Sequence, residues 1–185
     1  MYLEKKIVYF EKAGIINTEQ TINLAKERAK ELGIKTIILA SNSGYTAKLA
    51  LDIFDNTDLK LIIVCVSRQR FPSELLKTLE NRGIIIKFSN EVKYSLQEMM
   101  RNAFYKFSEG TKVIVELGMI AVEEGLISEN EEVVAIAGTG HSGFPEGGGA
   151  DTAAVIKPKK SENFNKLPVN KEDRREIREI ICKPR

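Results

Sequence analysis

The sequence predicts an α/β fold in which a single domain over residues 1–185 forms a three-layer, doubly wound, mostly parallel sheet. Short runs rich in isoleucine and valine recur along the chain and are apolar on both faces, which is typical of strands buried on both sides. Amphipathic stretches with helical spacing separate these runs, and strands that alternate with helices favour right-handed crossovers. The predicted strands are 6–10, 36–40, 59–66, 84–88, 133–137 and 152–156.

Five helices are expected between these strands. The first opens at Asn17, where Gln20 three residues later suggests a capping box, and it ends before Gly33. Glycine is favoured after a helix because it tolerates the left-handed conformation that closes the last turn. The other helices are expected at about 45–54, 73–82, 94–107 and 111–124.

Two segments interrupt the alternation. Residues 138–149 contain six glycines in twelve positions and predict a mobile loop, while residues 157–176 predict a basic, irregular segment. Residues 157–185 carry ten basic and five acidic groups. Near the C-terminus, residues 177–182 fit either one face of a short helix or an antiparallel strand at the sheet edge, and both interpretations remain open.

Composition excludes several classes of protein. The 28 Lys and Arg residues nearly balance the 26 Asp and Glu residues, which argues against a nucleic-acid partner. Two cysteines and one histidine are too few for a zinc site or a disulfide framework. Because no apolar stretch reaches the roughly 18 residues of a membrane-spanning helix, we expect no membrane partner and a cytoplasmic location.

The clearest candidate site follows the strand at 36–40, at the end where ligands bind in open α/β sheets. Hydroxyl and amide side chains, a glycine and free N–H groups at a helix start suit an anion, most often a phosphate. An ordinary Ser/Thr-rich helix cap explains the same pattern equally well. The residues concerned are Ser41, Asn42, Ser43, Gly44, Tyr45 and Thr46.

A second candidate follows the strand at 133–137. Glycines at this point permit a close approach of backbone to a flat or phosphorylated ligand, although a plain connection without a ligand is the alternative. The residues concerned are Gly138, Thr139 and Gly140 and, after the glycine-rich loop, Asp151 and Thr152.

Other polar residues have an ordinary explanation beside a functional one. Asn17 and Thr18 form a helix cap unless the fold brings them beside the first candidate site. Glu116 stands in an otherwise apolar helix and should be either partnered or exposed, and it could face the ligand. Arg68 and Arg70 follow the strand at 59–66 and could pair with a phosphate, but a surface role fits equally well. His141 fits a solvated loop position better than a catalytic one.

Several short motifs occur in an order that resembles a known family, the small archaeal stand-alone proteins related to the C-terminal domain of pyruvate kinase. The similarity runs over essentially the whole chain. The motifs are Tyr9-Phe10-Glu11-Lys12, Asn17-Thr18-Glu19, Ala40-Ser41-Asn42-Ser43-Gly44-Tyr45-Thr46-Ala47, Gly138-Thr139-Gly140, Gly149-Ala150-Asp151-Thr152-Ala153 and Lys183-Pro184-Arg185.

This resemblance implies a ligand. In pyruvate kinases the comparable loop holds a phosphate of a sugar bisphosphate activator, and stand-alone relatives resemble proteins that hold FMN. By resemblance, residues 41–46 would hold the phosphate, and residues 138–140 and 150–152 would lie against the rest of the ligand. The stretch 67–74 is shorter than expected for the family, the glycine-rich loop is longer, and residues 166–174 read as an insertion.

The sequence therefore predicts a protein that binds a phosphorylated small molecule, with FMN as the expected cofactor. The alternatives are a flavin-dependent oxidoreductase and a regulatory module that senses a sugar phosphate. No catalytic residue and no metal ligand is predicted, and a homo-oligomer remains open. Pyruvate kinase activity is not expected, because the sequence lacks the catalytic barrel.

Overall fold

The computed structural model describes residues 4–140, 148–164, 166 and 176–185. Within these ranges the chain forms seven strands and six α-helices. The strands are β1 (Val8–Phe10), β2 (Thr36–Ala40), β3 (Lys60–Cys65), β4 (Ile85–Phe88), β5 (Val133–Ala137), β6 (Thr152–Ile156) and β7 (Ile177–Pro184). The helices are α1 (Thr18–Leu32), α2 (Tyr45–Ile53), α3 (Ser73–Asn81), α4 (Glu98–Tyr105), α5 (Glu109–Glu123) and α6 (Ser161–Phe164).

The strands form one sheet in the order β1-β7-β6-β5-β2-β3-β4. β6 runs antiparallel to its neighbours β5 and β7, and the other neighbouring pairs are parallel. The predicted α/β fold with a mostly parallel sheet is confirmed. Of the two interpretations left open near the C-terminus, the strand is the one observed, and β1 covers the side of β7 that faces away from β6.

Alternate residues of the central strands face opposite sides of the sheet. On β2, Ile37 and Leu39 pack in one cluster with Ile22 of α1 and Ala47 of α2. Ile38 packs in the other cluster, which includes apolar residues of α5. Leucines of α3 join the first cluster, and α4 packs on α5. The helices thus form two outer layers, and the starts of α2 and α5 lie on opposite sides of the sheet.

Two local details correct the sequence-based expectation. The Asn17 side chain accepts no cap hydrogen bond from α1, and its Nδ2 donates to the carbonyl oxygen of Lys12 at 2.7 Å. The helix expected over 94–107 is shorter, since α4 spans only Glu98–Tyr105, and the next helix begins after its cap at Ser108, slightly earlier than expected. The Ser108 Oγ accepts a hydrogen bond from the backbone N–H of Thr111 at 2.9 Å, which satisfies one free donor of the first turn of α5.

Parts of the two irregular segments lie outside the described residues. These parts are residues 141–147 of the glycine-rich loop, which include His141, and residues 165 and 167–175 of the basic segment. The described part of the basic segment includes the short helix α6, which the sequence did not predict. No helix in the described ranges is long and apolar enough to cross a membrane.

Candidate functional site

A cavity of about 390 Å³ opens at the C-terminal ends of β2, β3 and β5. The start of α2 borders it from one layer and the first half of α5 from the other, and a cavity of this size can enclose a small organic ligand. The fold therefore brings the two main candidate sites of the sequence together. The predicted site residues that line the cavity are Ser41, Asn42, Ser43, Thr46, Gly138 and Gly140.

Residues 41–46, which we call the 41–46 loop, lead from β2 into the first turn of α2. Gly44 precedes the helix with a φ of 83°, a left-handed conformation that favours glycine. The Ser41 Oγ accepts a hydrogen bond from the backbone N–H of Ala47 at 3.2 Å. Within the described residues, the backbone N–H groups of Gly44 and Thr46 have no hydrogen-bond partner. These donors remain available at the positive end of the α2 dipole.

Asn42 fixes the loop against the next strand. Its Oδ1 accepts a hydrogen bond from the backbone N–H of Val66 at 2.9 Å, just beyond the end of β3. Cys65 lies beneath this contact, and its Sγ donates to the carbonyl oxygen of Ser67 at 3.2 Å. Burial raises the pKa of the Cys65 thiol. The thiol therefore stays protonated near neutral pH and serves as packing for the cavity floor.

Asp151 is fully buried and accepts hydrogen bonds from several parts of the chain. Its Oδ2 accepts from the backbone N–H of Gly14 at 2.8 Å and from that of Thr139 at 3.1 Å. Its Oδ1 accepts from the hydroxyl groups of Thr139 at 3.3 Å and Thr152 at 2.8 Å. The carboxylate thus positions the segment that follows β5, and these protein donors already surround it.

Only some of the residues predicted for the second candidate site are among the described lining residues of the cavity. Gly138 and Gly140 line the cavity, whereas Thr139, Asp151 and Thr152 are not among its described lining residues. Gly138 lies so close to the returning chain that a Cβ built on it would be 2.2 Å from the carbonyl oxygen of Gly149. Direct contact of Asp151 or Thr152 with a ligand stays a prediction, while the observed contacts hold the cavity rim.

Asn17 and Thr18 also lie outside the described lining of the cavity, as does Tyr45, whose side chain is partly exposed. The Thr18 Oγ1 accepts a hydrogen bond from the backbone N–H of Ala150 at 3.0 Å and donates to the carbonyl oxygen of Ile15 at 2.7 Å. The start of α1 therefore supports the chain next to Gly149, which does line the cavity. The fold brings Thr18 near the second candidate site instead of beside the 41–46 loop.

The first half of α5 supplies a charged wall that the sequence did not assign. Glu116 is 8% exposed, and its Oε2 accepts a hydrogen bond from the Nζ of Lys112 at 2.8 Å. Its Oε1 lies 3.3 Å from the Nη2 of Arg101 on α4. Glu109, at the start of α5, accepts a hydrogen bond from the backbone N–H of Gly140 at 3.1 Å. Buried charge on this wall is therefore paired, as burial requires.

Two tyrosines complete this side of the cavity. The Lys112 Nζ lies 5.3 Å from the centre of the Tyr105 ring, within the range of a cation–π contact. Tyr94 lines the cavity too, and burial, followed by the nearby charge of Glu116, raises the pKa of Tyr94. Its phenol remains protonated at neutral pH and can donate a hydrogen bond.

The sequence contained part of the signal for this wall. Glu116 was singled out as a carboxylate in an apolar helix, and Lys112 precedes it by four residues, the spacing of a helical ion pair. Arg70, also singled out, lines the cavity. Arg68, which follows the same strand, instead stacks its guanidinium over Phe88 at 4.5 Å.

The chain was compared with known families and solved structures. Residues 19–156 match the family described as the pyruvate kinase alpha/beta domain. Among solved structures the chain is similar to Cryptosporidium parvum pyruvate kinase in complex with ADP, with 20% identity and a TM-score of 0.45. That similarity covers 77% of this chain and 24% of the other, so this chain spans about a quarter of that protein's length. Since the family match extends over well more than half of its 185 residues, the chain belongs to the pyruvate kinase alpha/beta domain family.

Proposed function

We propose that this protein binds a phosphorylated small molecule in the cavity, with the phosphate on the 41–46 loop. The observation that carries the proposal is a pair of N–H groups at the start of α2, those of Gly44 and Thr46, which have no partner among the described residues; Thr46 lines the cavity, and Gly44 directly follows the lining residue Ser43. An anion at a helix N-terminus is stabilised by such donors and by the helix dipole. Arg70 adds a positive charge to the same cavity.

FMN is the ligand that we propose. The fit rests on two features of the cavity: polar donors at the α2 end, and a mixed wall of aromatic and aliphatic groups on the α5 side. That wall includes Tyr94, Tyr105, Val113, Leu117 and Ile120. Such a wall suits a flat ring system, since aromatic and aliphatic side chains gain from burial against it. The resemblance to stand-alone archaeal proteins, which are themselves similar to proteins that hold FMN, is part of this proposal.

When bound, FMN would supply redox chemistry, and the chain's own residues would bind and orient it. The N–H groups of the 41–46 loop would hold the phosphate, while Gly138 and Gly140 would allow the backbone to approach the ring. A positioned acid, base or nucleophile would be needed to assign a reaction. The proposal is therefore one of binding, with no reaction assigned.

The proposal is tested by recording the visible spectrum of the purified protein and titrating it with FMN by calorimetry. We expect flavin absorbance or saturable binding. The variant Thr46→Asp should lose FMN binding, because its carboxylate would repel the phosphate at the helix start. Thr78→Asp is the matched control, since Thr78 is exposed on α3 and distant from the cavity lining.

Two outcomes would reject different parts of the proposal. Absence of flavin absorbance and of FMN binding at about 100 µM would reject FMN as the ligand. Normal binding of a phosphorylated ligand by a folded Thr46→Asp protein would reject the 41–46 loop as the phosphate site. Thermal unfolding of each variant separates loss of binding from loss of the fold.

A further inference from the structure

Lys112 is the best-positioned cation on the α5 side of the cavity. Its Nζ donates to the Glu116 Oε2 at 2.8 Å and lies 5.3 Å from the centre of the Tyr105 ring. Its side chain is only 14% exposed, yet the residue lines the cavity. An ammonium group has three donors, and the pair with Glu116 uses one of them. Because two partners fix the side chain, a remaining N–H can meet a ligand with little further loss of side-chain entropy.

The charge of this wall is already balanced. Glu116 pairs with Lys112 and also with Arg101, while Glu109 stands one turn before Lys112 and faces the same cavity. Among the described residues of this wall, two cations thus stand with two carboxylates. A phosphate dianion brought against the wall would face both carboxylates, and the cations would have to leave partners that they already hold.

The opposite side of the cavity differs in this respect. Arg70 forms no ion pair within the described residues, and the 41–46 loop offers free N–H groups at the start of α2. Among the described residues, uncompensated positive charge thus lies on one side of the cavity only. Arg70 and the N–H donors of the 41–46 loop suit one phosphate group, and the described residues offer no comparable set for a second.

We infer that Lys112 is a second anchoring point for the ligand, and that it donates a hydrogen bond to an uncharged acceptor such as a ring carbonyl. The ligand class that follows is a monophosphate whose remaining part is uncharged and carries acceptors, in preference to a sugar bisphosphate. Tyr94 supplies a further donor on the same side. The inference rests on the proposed function, since it takes the phosphate to lie on the 41–46 loop.

The test is calorimetry on the full chain with four probes: FMN, AMP, fructose 1,6-bisphosphate and inorganic phosphate. The protein should bind FMN or AMP more tightly than the bisphosphate. Lys112→Met retains most of the apolar stem and removes the donors. It should weaken the better monophosphate by roughly tenfold or more, the usual loss for one charge-assisted hydrogen bond. Inorganic phosphate should bind with about the same affinity in both proteins, because it does not reach Lys112.

Lys77→Met is the matched control, because Lys77 is exposed on α3 and outside the cavity lining. If Lys112→Met unfolds, Lys112→Arg replaces it. The arginine keeps the charge for Glu116 but moves the donors, so it should again weaken the monophosphate and spare inorganic phosphate.

Three results would overturn the inference. They are tighter binding of the bisphosphate than of both monophosphates, an unchanged monophosphate affinity in the Lys112 variant, and an equal loss for monophosphate and inorganic phosphate. Thr46→Asp tests the proposed function separately. If Thr46→Asp abolishes binding of all four probes while a Lys112 variant changes the affinity for none of them, the phosphate site is supported and only the role of Lys112 is rejected. If no probe binds the parent protein, both fall together.

Discussion

The carboxylate of Asp151 accepts a hydrogen bond from the backbone N–H of Gly14, 137 positions earlier in the chain, at 2.8 Å. The same oxygen accepts from the backbone N–H of Thr139 at 3.1 Å. One buried side chain therefore joins the segment after β1, the segment after β5 and the start of β6. The rim of the cavity depends on this connection, because Thr139 lies between Gly138 and Gly140, which both line the cavity.

Asp151→Asn should destabilise the protein by about 2–3 kcal/mol, since a buried charged acceptor is replaced by an amide whose NH₂ would face backbone donors. The free energy of unfolding in urea measures the change. Asp58→Asn, at an exposed position, is the control and should stay within about 0.5 kcal/mol of the parent. An Asp151 variant as stable as the control would contradict the connecting role.

Gly138→Ala should weaken FMN binding more than Gly83→Ala, a substitution that affects only the backbone conformation. The added Cβ would lie 2.2 Å from the carbonyl oxygen of Gly149, so backbone at the cavity rim must move. Gly83→Ala is the matched control: its φ is 69°, and no atom lies within 4 Å of the added Cβ. The control should lose about 1 kcal/mol of stability with FMN affinity unchanged. Equal binding by both variants would show that the close approach at Gly138 does not shape the cavity.

The pair Lys159–Glu176 predicts a pH dependence of stability. The two charged atoms lie 3.1 Å apart, and the other oxygen of Glu176 is buried without a hydrogen bond in the described structure. Burial raises the pKa of Glu176, an effect that the pairing with Lys159 only partly offsets. The folded state then binds this proton more tightly than the unfolded state does. This contribution to stability is present at low pH and is lost as the pH rises from the ordinary glutamate pKa of about 4.3 through the raised folded value.

Glu176→Gln should remove this contribution. Urea unfolding of the parent and the variant at intervals between about pH 4 and pH 7 should show the parent losing stability relative to the variant as pH rises. Glu162→Gln, at an exposed position on α6, should leave the parent's pH profile unchanged. A constant difference between the parent and Glu176→Gln across this range would contradict the raised pKa.

The two cysteines should resist thiol reagents in the folded protein. Burial raises the pKa of Cys182 to about 12, so its thiolate is scarce at pH 8. Cys65 is also buried with a raised pKa, but it lines the cavity. Labelling followed by mass spectrometry should modify Cys65 slowly, Cys182 more slowly still, and both rapidly in guanidinium. Rapid native labelling of Cys182 would contradict its burial.

The central strands could be predicted closely because local sequence determines them. β2, β5 and β6 begin and end where their apolar runs do, since all of their residues except the half-buried Ala40 at the end of β2 are buried on one face or the other. α4 was less predictable because it has no buried residue, so its sequence pattern does not mark its ends at Glu98 and Tyr105. Asn17 resembled a cap in sequence, but its side chain donates to the backbone of Lys12 in the preceding loop.

For the candidate site too, features that are adjacent in sequence could be predicted, and features that the fold brings together could not. The 41–46 loop was predictable because a strand end, a glycine and a helix start are adjacent in sequence. The charged wall formed by the first half of α5 was not predictable, because its position beside the cavity depends on how α5 crosses the sheet. Asp151 was predicted as a residue of the second candidate site, but its hydrogen-bond partner Gly14 is far away in sequence and was not predicted. The periodicity of one helix or strand contains no information about such a contact.

The direction of β6 has a consequence for how this domain can diverge. β5 and β6 pair directly as antiparallel neighbours, with Ala137 opposite Thr152. Both ends of the connecting segment therefore lie at the C-terminal end of β5, where the cavity opens. Residues can be added there without moving a crossover helix, and doubling the length of a flexible loop costs only about 0.6 kcal/mol. Insertions between these strands can therefore change which molecules the cavity admits while the sheet keeps its register.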